Sequence, residues 1–346
     1  MKLSIICYLS DDKKLNQTTV EALEKMASYS LEHDNQVTVA GKHVDKKYNN
    51  GKKDSVTASY EVEVILNTDR VQDDRSWYEN VITRIGNHAF TSKVNKETYV
   101  SEQDAHQKMA EKASGDYIMI IHAGDDISSN LAEVFVKGNV HCYDMDTYMI
   151  TKAFHDETFG AFRNYKKVTD GEDIKSFYII DLKSKYDCFP FGFGGVIIRA
   201  EAFKKQSVDP ALGLEAERDF MLRLMAKTMK TCFLPYATLT AYEYEEHDNT
   251  FYRGLYMREW YFESVTDFWM PFLQEMKETY GSIPVFIQYN FMYSIMARFN
   301  GNMDNKNKHV IEEGHGEEYL ELIGQAFRLI EENIMLNRNK VKDCIT

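Results

Sequence analysis

Gly115-Asp116-Tyr117-Ile118-Met119-Ile120-Ile121-His122-Ala123-Gly124-Asp125-Asp126 holds five consecutive apolar residues, Tyr117 to Ile121, between Gly115-Asp116 and the polar His122. A run of that length between turn signals predicts a strand buried on both faces. Two carboxylates follow it at once. Outward from this stretch the pattern alternates. Gln103 to Ala113 reads as a helix stopped by Ser114-Gly115, Leu131 to Val136 as a short helix, and Tyr148 to Ile150 as a strand. Upstream, Leu3 to Leu9 is a short apolar strand. Val20, Leu23, Met26, Ala27 and Leu31 give Thr18 to Leu31 a helical period. Lys42 to Ser59 reads as a polar loop and Tyr60 to Leu66 as a strand. Strand and helix in alternation predict an α/β fold, with a mostly parallel central sheet covered by helices on both faces. Ligands of such sheets sit beyond the carboxyl ends of the strands. Here those ends are Tyr8, Asn67 and His122.

The 346 residues, 44% of them hydrophobic, suffice for a large core, and 18 Gly with 5 Pro argue against long linkers. The net charge of −13 speaks against a nucleic-acid partner, whose phosphates need clustered Lys and Arg. A nucleotide substrate stays compatible with it, because a divalent cation supplies positive charge locally. Cys7, Cys142, Cys188, Cys232 and Cys344 are odd in number and far apart, so no disulfide framework or zinc site is expected, and a reducing cytoplasm fits. No apolar run approaches the ~20 residues of a membrane span. The expectation is a soluble chain, at most peripheral to the inner face of a membrane.

Asp125-Asp126 after a buried strand suits Mg or Mn, which take carboxylate and phosphate oxygens. The pair also suits a turn and helix cap before Leu131. Here the segment resembles the family-2, GT-A type of inverting glycosyltransferase, whose strand runs from Gly-(Glu/Asp)-Tyr-Ile into an acidic cluster. Asp125 stands at the metal-binding Asp. His122 departs from the acidic or Asn residue expected before it, and it could bond the ribose or ligate the metal. Ala105-His106-Gln107 lies where the family carries Ala-Arg-Asn, so His106 replaces an Arg. Ser4 to Tyr8 matches the first strand, ending at the nucleobase pocket. Val62 to Asp69 matches the second, where Asn67 or Asp69 would read the base. Asp144-Met145-Asp146 is a literal Asp-x-Asp, but it precedes a strand and reads as a solvated strand entry.

Phe189 to Arg199 resembles the family's acceptor-side loop, in which Gly194-Gly195 lets the backbone approach the sugar. Glu215 to Arg223 resembles the helix start that carries the catalytic base. Aligned on Asp219 and Arg223, Glu217 takes that role, with Asp219 as the alternative. Acids also simply favour a helix N-terminus. His247 matches a His or Arg near the diphosphate or metal.

The resemblance covers residues 1–250. It implies a catalytic domain with a nucleotide-sugar half (1–127) and an acceptor half (128–250), followed by a helical extension (251–346). In the extension, Trp260, Tyr261, Val265, Phe268, Trp269, Phe272 and Met276 recur at helical spacing. It resembles the tail of transferases acting on capsule or teichoic-acid-like polymers, and it would offer a surface to a partner domain or a membrane. The implied reaction is inverting transfer of a hexose or N-acetylhexosamine from a nucleoside diphosphate sugar, UDP-linked, to a cell-surface glycan or its lipid-linked precursor. The implied cofactor is Mn or Mg held by Asp125 with Asp126, His122 or His247. Two alternatives stay open: a sugar nucleotidyltransferase, although Leu9 to Asp12 lacks a glycine-rich phosphate loop, and a non-catalytic scaffold of the same fold.

Overall fold

The computed structural model describes residues 1–40, 55–68, 75–86, 90–95, 97–142, 145–154, 177–186, 189–241, 254–303, 310–311 and 314–336. Asp69, Asp144, Cys188, His247 and Cys344 lie outside these residues.

The predicted strands form the centre of a nine-stranded sheet. β1 (Lys2–Tyr8), β4 (Glu61–Asn67), β5 (Phe90–Asn95) and β6 (Tyr117–His122) are parallel, in the order β5-β4-β1-β6. β10 (Val196–Arg199) joins β6 antiparallel and continues to β8 (Thr147–Phe154), which pairs parallel with the long β11 (Lys230–Ala241). The short β7 (Asp125–Ile127) and β9 (Tyr178–Asp181) both add antiparallel to β11. A separate hairpin pairs β2 (Gln36–Ala40) with β3 (Ser55–Ser59), where the sequence suggested only loop for the latter.

Successive side chains of a strand point to opposite faces, so β1 serves two cores. Ile5 and Cys7 pack with α1 (Lys13–Glu32), α2 (Arg75–Ile85) and α4 (Leu131–Cys142). Ile6 and Tyr8 face α3 (Glu102–Lys112), α5 (Ala200–Lys204), α6 (Ala216–Thr228) and the C-terminal helices. The last are α7 (Arg258–Tyr261), α8 (Met270–Tyr280), α9 (Val285–Met303), α10 (Gly316–Phe327) and α11 (Glu332–Met335). An aromatic stripe running from α7 through Ser264–Trp269 into α8 (Trp260, Phe268, Trp269 and Phe272) shares one core with Phe193 and Phe220.

Caps set the helix starts. Asp12 accepts bonds from the Lys14 and Leu15 amides at 2.7 and 3.2 Å, and Ser101 accepts from the Asp104 amide. Gly115 is required for close approach: a Cβ there would lie 2.6 Å from Ser4 Oγ.

The cysteine expectation needs correction. Cys142, at the end of α4, and Cys232, on β11, are joined as a disulfide with Cα atoms 6.3 Å apart. Sequence distance hid the pair because the parallel crossover brings residues 90 apart together. Cys7 is buried and free.

At the amino end of the parallel strands, buried Glu63 accepts from Ser4 Oγ (2.6 Å), Lys93 Nζ (2.8 Å) and the Ser114 amide (2.8 Å). Burial works against its charge, but Lys93, Ser4 and Ser114 outweigh it and hold the carboxyl at about 2, below its ordinary 4.5. A depressed carboxylate stabilises the fold fully above its unfolded pKa, and that contribution is lost as pH falls through the folded value. Glu63→Gln is therefore expected to cost about 2 kcal/mol at pH 7. In urea titrations its gap to the parent should narrow as the pH falls from 4.5 towards 2.

Candidate active site

Register aligns the strand ends. Asn95 pairs with Asn67, Asn67 with Tyr8, and Tyr8 with His122. The three expected residues therefore stand in one row at the carboxyl edge. Asn67 is fully buried and accepts from Asn95 Nδ2 at 2.9 Å, which also reaches Tyr99 Oη.

Beyond His122 the chain turns at Gly124, whose φ of 94° suits glycine. The turn is pinned to α1 by bonds from the Gly124 amide to Thr19 Oγ1 and the Leu15 carbonyl. It leads directly into β7. That strand separates the acidic pair, because adjacent strand residues face opposite ways. Asp125 is buried and turns back, accepting from the His122 amide at 2.8 Å, with His122 Nδ1 at 3.7 Å. Asp126 lies among the charges of Lys25 and Glu21 of α1, and burial pushes its carboxyl above the ordinary value. The two carboxylates thus have different neighbours, His122 for Asp125 and the α1 charges for Asp126.

A different cluster assembles on the α3 face. Glu217, in the first turn of α6, reaches His122 and His106. Its Oε1 is 3.6 Å from His122 Nε2 and 3.6 Å from His106 Nδ1. Its Oε2 accepts from the Phe193 amide at 3.0 Å. Glu102 completes the group, 3.3 Å from His122 Nε2 and 3.8 Å from His106 Nε2. His106 is wholly buried, edge-on to Tyr8 and Phe193 with ring centroids at 6.2 and 5.8 Å.

The charges respond accordingly. Burial opposes the charged form of His122, but Asp125, Glu217 and Glu102 outweigh it and raise its pKa well above the ordinary value. Burial also opposes the charge of Glu217, but His122, His106 and the Phe193 amide hold its carboxyl at about 2. His106 is pushed below its usual value, first by burial. The resting site thus pairs a cationic His122 with an ionised Glu217.

The glycine loop closes over this carboxylate. A Cβ on Gly192 would lie 2.6 Å from Glu217 Oε2, one on Gly194 would lie 2.5 Å from Lys152 Nζ, and Gly195 has a φ of 78°. Gly192→Ala is expected to lower kcat/KM on the order of 10- to 100-fold by displacing Glu217, with unfolding temperature less affected.

Asp219 stands elsewhere. It is bonded to Arg223 Nε at 2.8 Å, and Arg223 in turn grips Glu275. It lines a separate cleft of ≈ 510 Å³ with Phe268 and Phe272. Asp146 meets Arg199 Nε at 2.7 Å, in keeping with a strand entry. The sequence reading missed Glu102, although its i, i+4 spacing to His106 puts both on one face of α3.

No family model and no curated protein matches the sequence. Solved structures do match in three dimensions. S. aureus TarS 1-349 in complex with UDP-GlcNAc superposes with a TM-score of 0.57 at 10% identity, over 99% of this chain and 89% of that one. TarS 1-349 alone gives 0.55 at 9% identity with the same coverage, and its complex with UDP gives 0.51 at 10%. The fold is GT-A-like. Within it, the Tyr8–His122 row is the carboxyl edge of the parallel strands, and Glu217 approaches that row from the start of α6. Among the described residues no helix is long and apolar enough to cross a membrane.

Proposed function

We propose that this chain is an inverting glycosyltransferase using a nucleoside diphosphate sugar. The observation that carries the reading is the convergence of ionised Glu217 on His122, at the end of the central strand of a GT-A-like sheet. Tyr8 and Asn67 line the base and ribose end, with Asp69 as a further base reader. His106 and His122 lie under the diphosphate, and Gly194-Gly195 bring backbone to the sugar. The donor carries a hexose or N-acetylhexosamine on UDP, a choice supported by UDP-GlcNAc in the TarS complex. The acceptor is a hydroxyl of a cell-surface glycan or its lipid-linked precursor.

In the reaction the acceptor oxygen bonds to the anomeric carbon while the bond from that carbon to the diphosphate oxygen breaks. Glu217 accepts the hydroxyl proton, and the electron pair leaves with the diphosphate. A charge placed where the leaving group develops its own is the largest single aid to such a step. The positive ring of His122 supplies it at the tip of β6. His247, expected near the diphosphate, would add to the same end.

Thermal unfolding with a panel of nucleoside diphosphates tests the reading. UDP at about 100 times its Kd should stabilise the fold by about 2.7 kcal/mol, and a UDP-sugar should be consumed slowly even without acceptor. No shift with any nucleotide and no turnover would favour the scaffold alternative instead.

A further inference from the structure

His106 is an unsatisfied polar group at the centre of the site. It is wholly buried, yet neither ring nitrogen has a hydrogen-bond partner. Buried polar groups are nearly always satisfied, so an orphaned imidazole calls for a ligand. Its Nε2 and that of His122 converge on one atom, Glu102 Oε1, at 3.8 and 3.3 Å. Glu102, His106 and His122 can each offer one donor atom such that all three lie within 4.8 Å of one another.

We infer that Glu102, His106 and His122 form a binding site for a first-row transition cation of the Zn²⁺ class. Metal–ligand bonds of about 2.1 Å in a tetrahedron set donor–donor edges of about 3.4 Å. The 3.3 and 3.8 Å separations bracket that edge. Two imidazoles and one carboxylate favour such a cation over Mg or Ca, which select oxygens. Three protein ligands leave a fourth position for water or a substrate oxygen.

The outer contacts agree. A ligating His commonly offers its other nitrogen to a carboxylate. His106 Nδ1 faces Glu217 at 3.6 Å, and His122 Nδ1 faces Asp125 at 3.7 Å. Asp125 therefore acts through His122 as a positioning residue, not as a direct ligand. The site goes beyond the transfer reading and stands on donor geometry alone.

The test is titration of the tag-free, chelator-treated chain with Zn²⁺ by calorimetry and with Co²⁺ by visible absorption. The expected result is one equivalent bound, with the d–d bands of a low-coordinate Co²⁺. Glu102→Gln and His106→Gln should abolish those bands, and Asp125→Asn should weaken affinity about 10- to 100-fold. Glu102 is part-exposed at the start of α3, so Glu102→Gln keeps the fold, which circular dichroism checks. No saturable binding by the folded parent, or a Co²⁺ spectrum unchanged in both first variants, would overturn the site. A parallel UDP melt in chelator separates the two ideas. UDP binding without metal binding overturns the site and leaves the transfer reading standing; metal binding without UDP binding does the reverse.

Discussion

Glu217→Gln should lower kcat for sugar transfer by about 10² to 10⁴, with KM for the nucleotide sugar little changed. Gln keeps the shape and the bond from the Phe193 amide, which lies 3.0 Å away, but cannot accept the acceptor's proton. Substrate binding through the strand ends does not involve that proton, so the loss falls on turnover. Asp219→Asn is the informative control. Its carboxylate is committed to Arg223 on the far side of α6, so it should change kcat less than tenfold while lowering the unfolding temperature. Steady-state kinetics on both variants decides which acid is the base. A larger kcat loss for Asp219→Asn than for Glu217→Gln would reverse the assignment.

Arg298→Ala is expected to cost about 3 to 5 kcal/mol of stability. Arg298 is fully buried on α9, and each of its donors is used. Nε bonds the Trp260 carbonyl (2.7 Å), Nη1 the Ser294 carbonyl (2.9 Å) and hydroxyl, and Nη2 Glu215 (2.8 Å) and Ser264 (2.6 Å). Its guanidinium also lies 4.2 Å from the Trp260 ring centroid. Removing it leaves Glu215, itself buried, with Arg218 as the remaining cation. At roughly 2 to 4 °C per kcal/mol for chains of 150–250 residues, the drop in melting temperature is on the order of 10 °C. Arg298→Met combined with Glu215→Leu should recover much of it, because apolar pairs often replace buried ion pairs without loss. Differential scanning calorimetry reads both. A melting point unchanged in Arg298→Ala would show that the C-terminal helices are not tied to the start of α6.

That tie bears on the site. Glu215 precedes Glu217 by two residues, so the buried Arg298 network fixes the helix start from which the proposed base projects. Phe191 of the glycine loop also stacks on Tyr293 of α9, with ring centroids 4.4 Å apart. The C-terminal helices thereby pack against the glycine loop.

How far the sequence could be read follows from physical range. Apolar runs such as Tyr117 to Ile121 depend only on burial, so their strands and the row Tyr8–Asn67–His122 were legible. Glu217 enters the sequence reading only through the resemblance, which aligns Asp219 and Arg223 within one helix. Asp125-Asp126 reads as a pair in one dimension, whereas β7 gives the two acids different neighbours, His122 for the first and Lys25 and Glu21 for the second. That strand exists only because β11 lies beside it, a partner more than 100 residues away. The Cys142–Cys232 pair was hidden for the same reason. Glu102 could have been found from its helical spacing to His106, had His106 been read as a ligand rather than as a replaced Arg.

A crystal structure of the chain soaked with UDP-GlcNAc tests the central claim most directly. The account predicts uracil and ribose beside Tyr8 and Asn67, the diphosphate at His122, and the anomeric carbon facing the Glu217 carboxylate across a space fit for one hydroxyl. Nucleotide bound away from the carboxyl ends of β1, β4 and β6, or a sugar turned from Glu217, would contradict it.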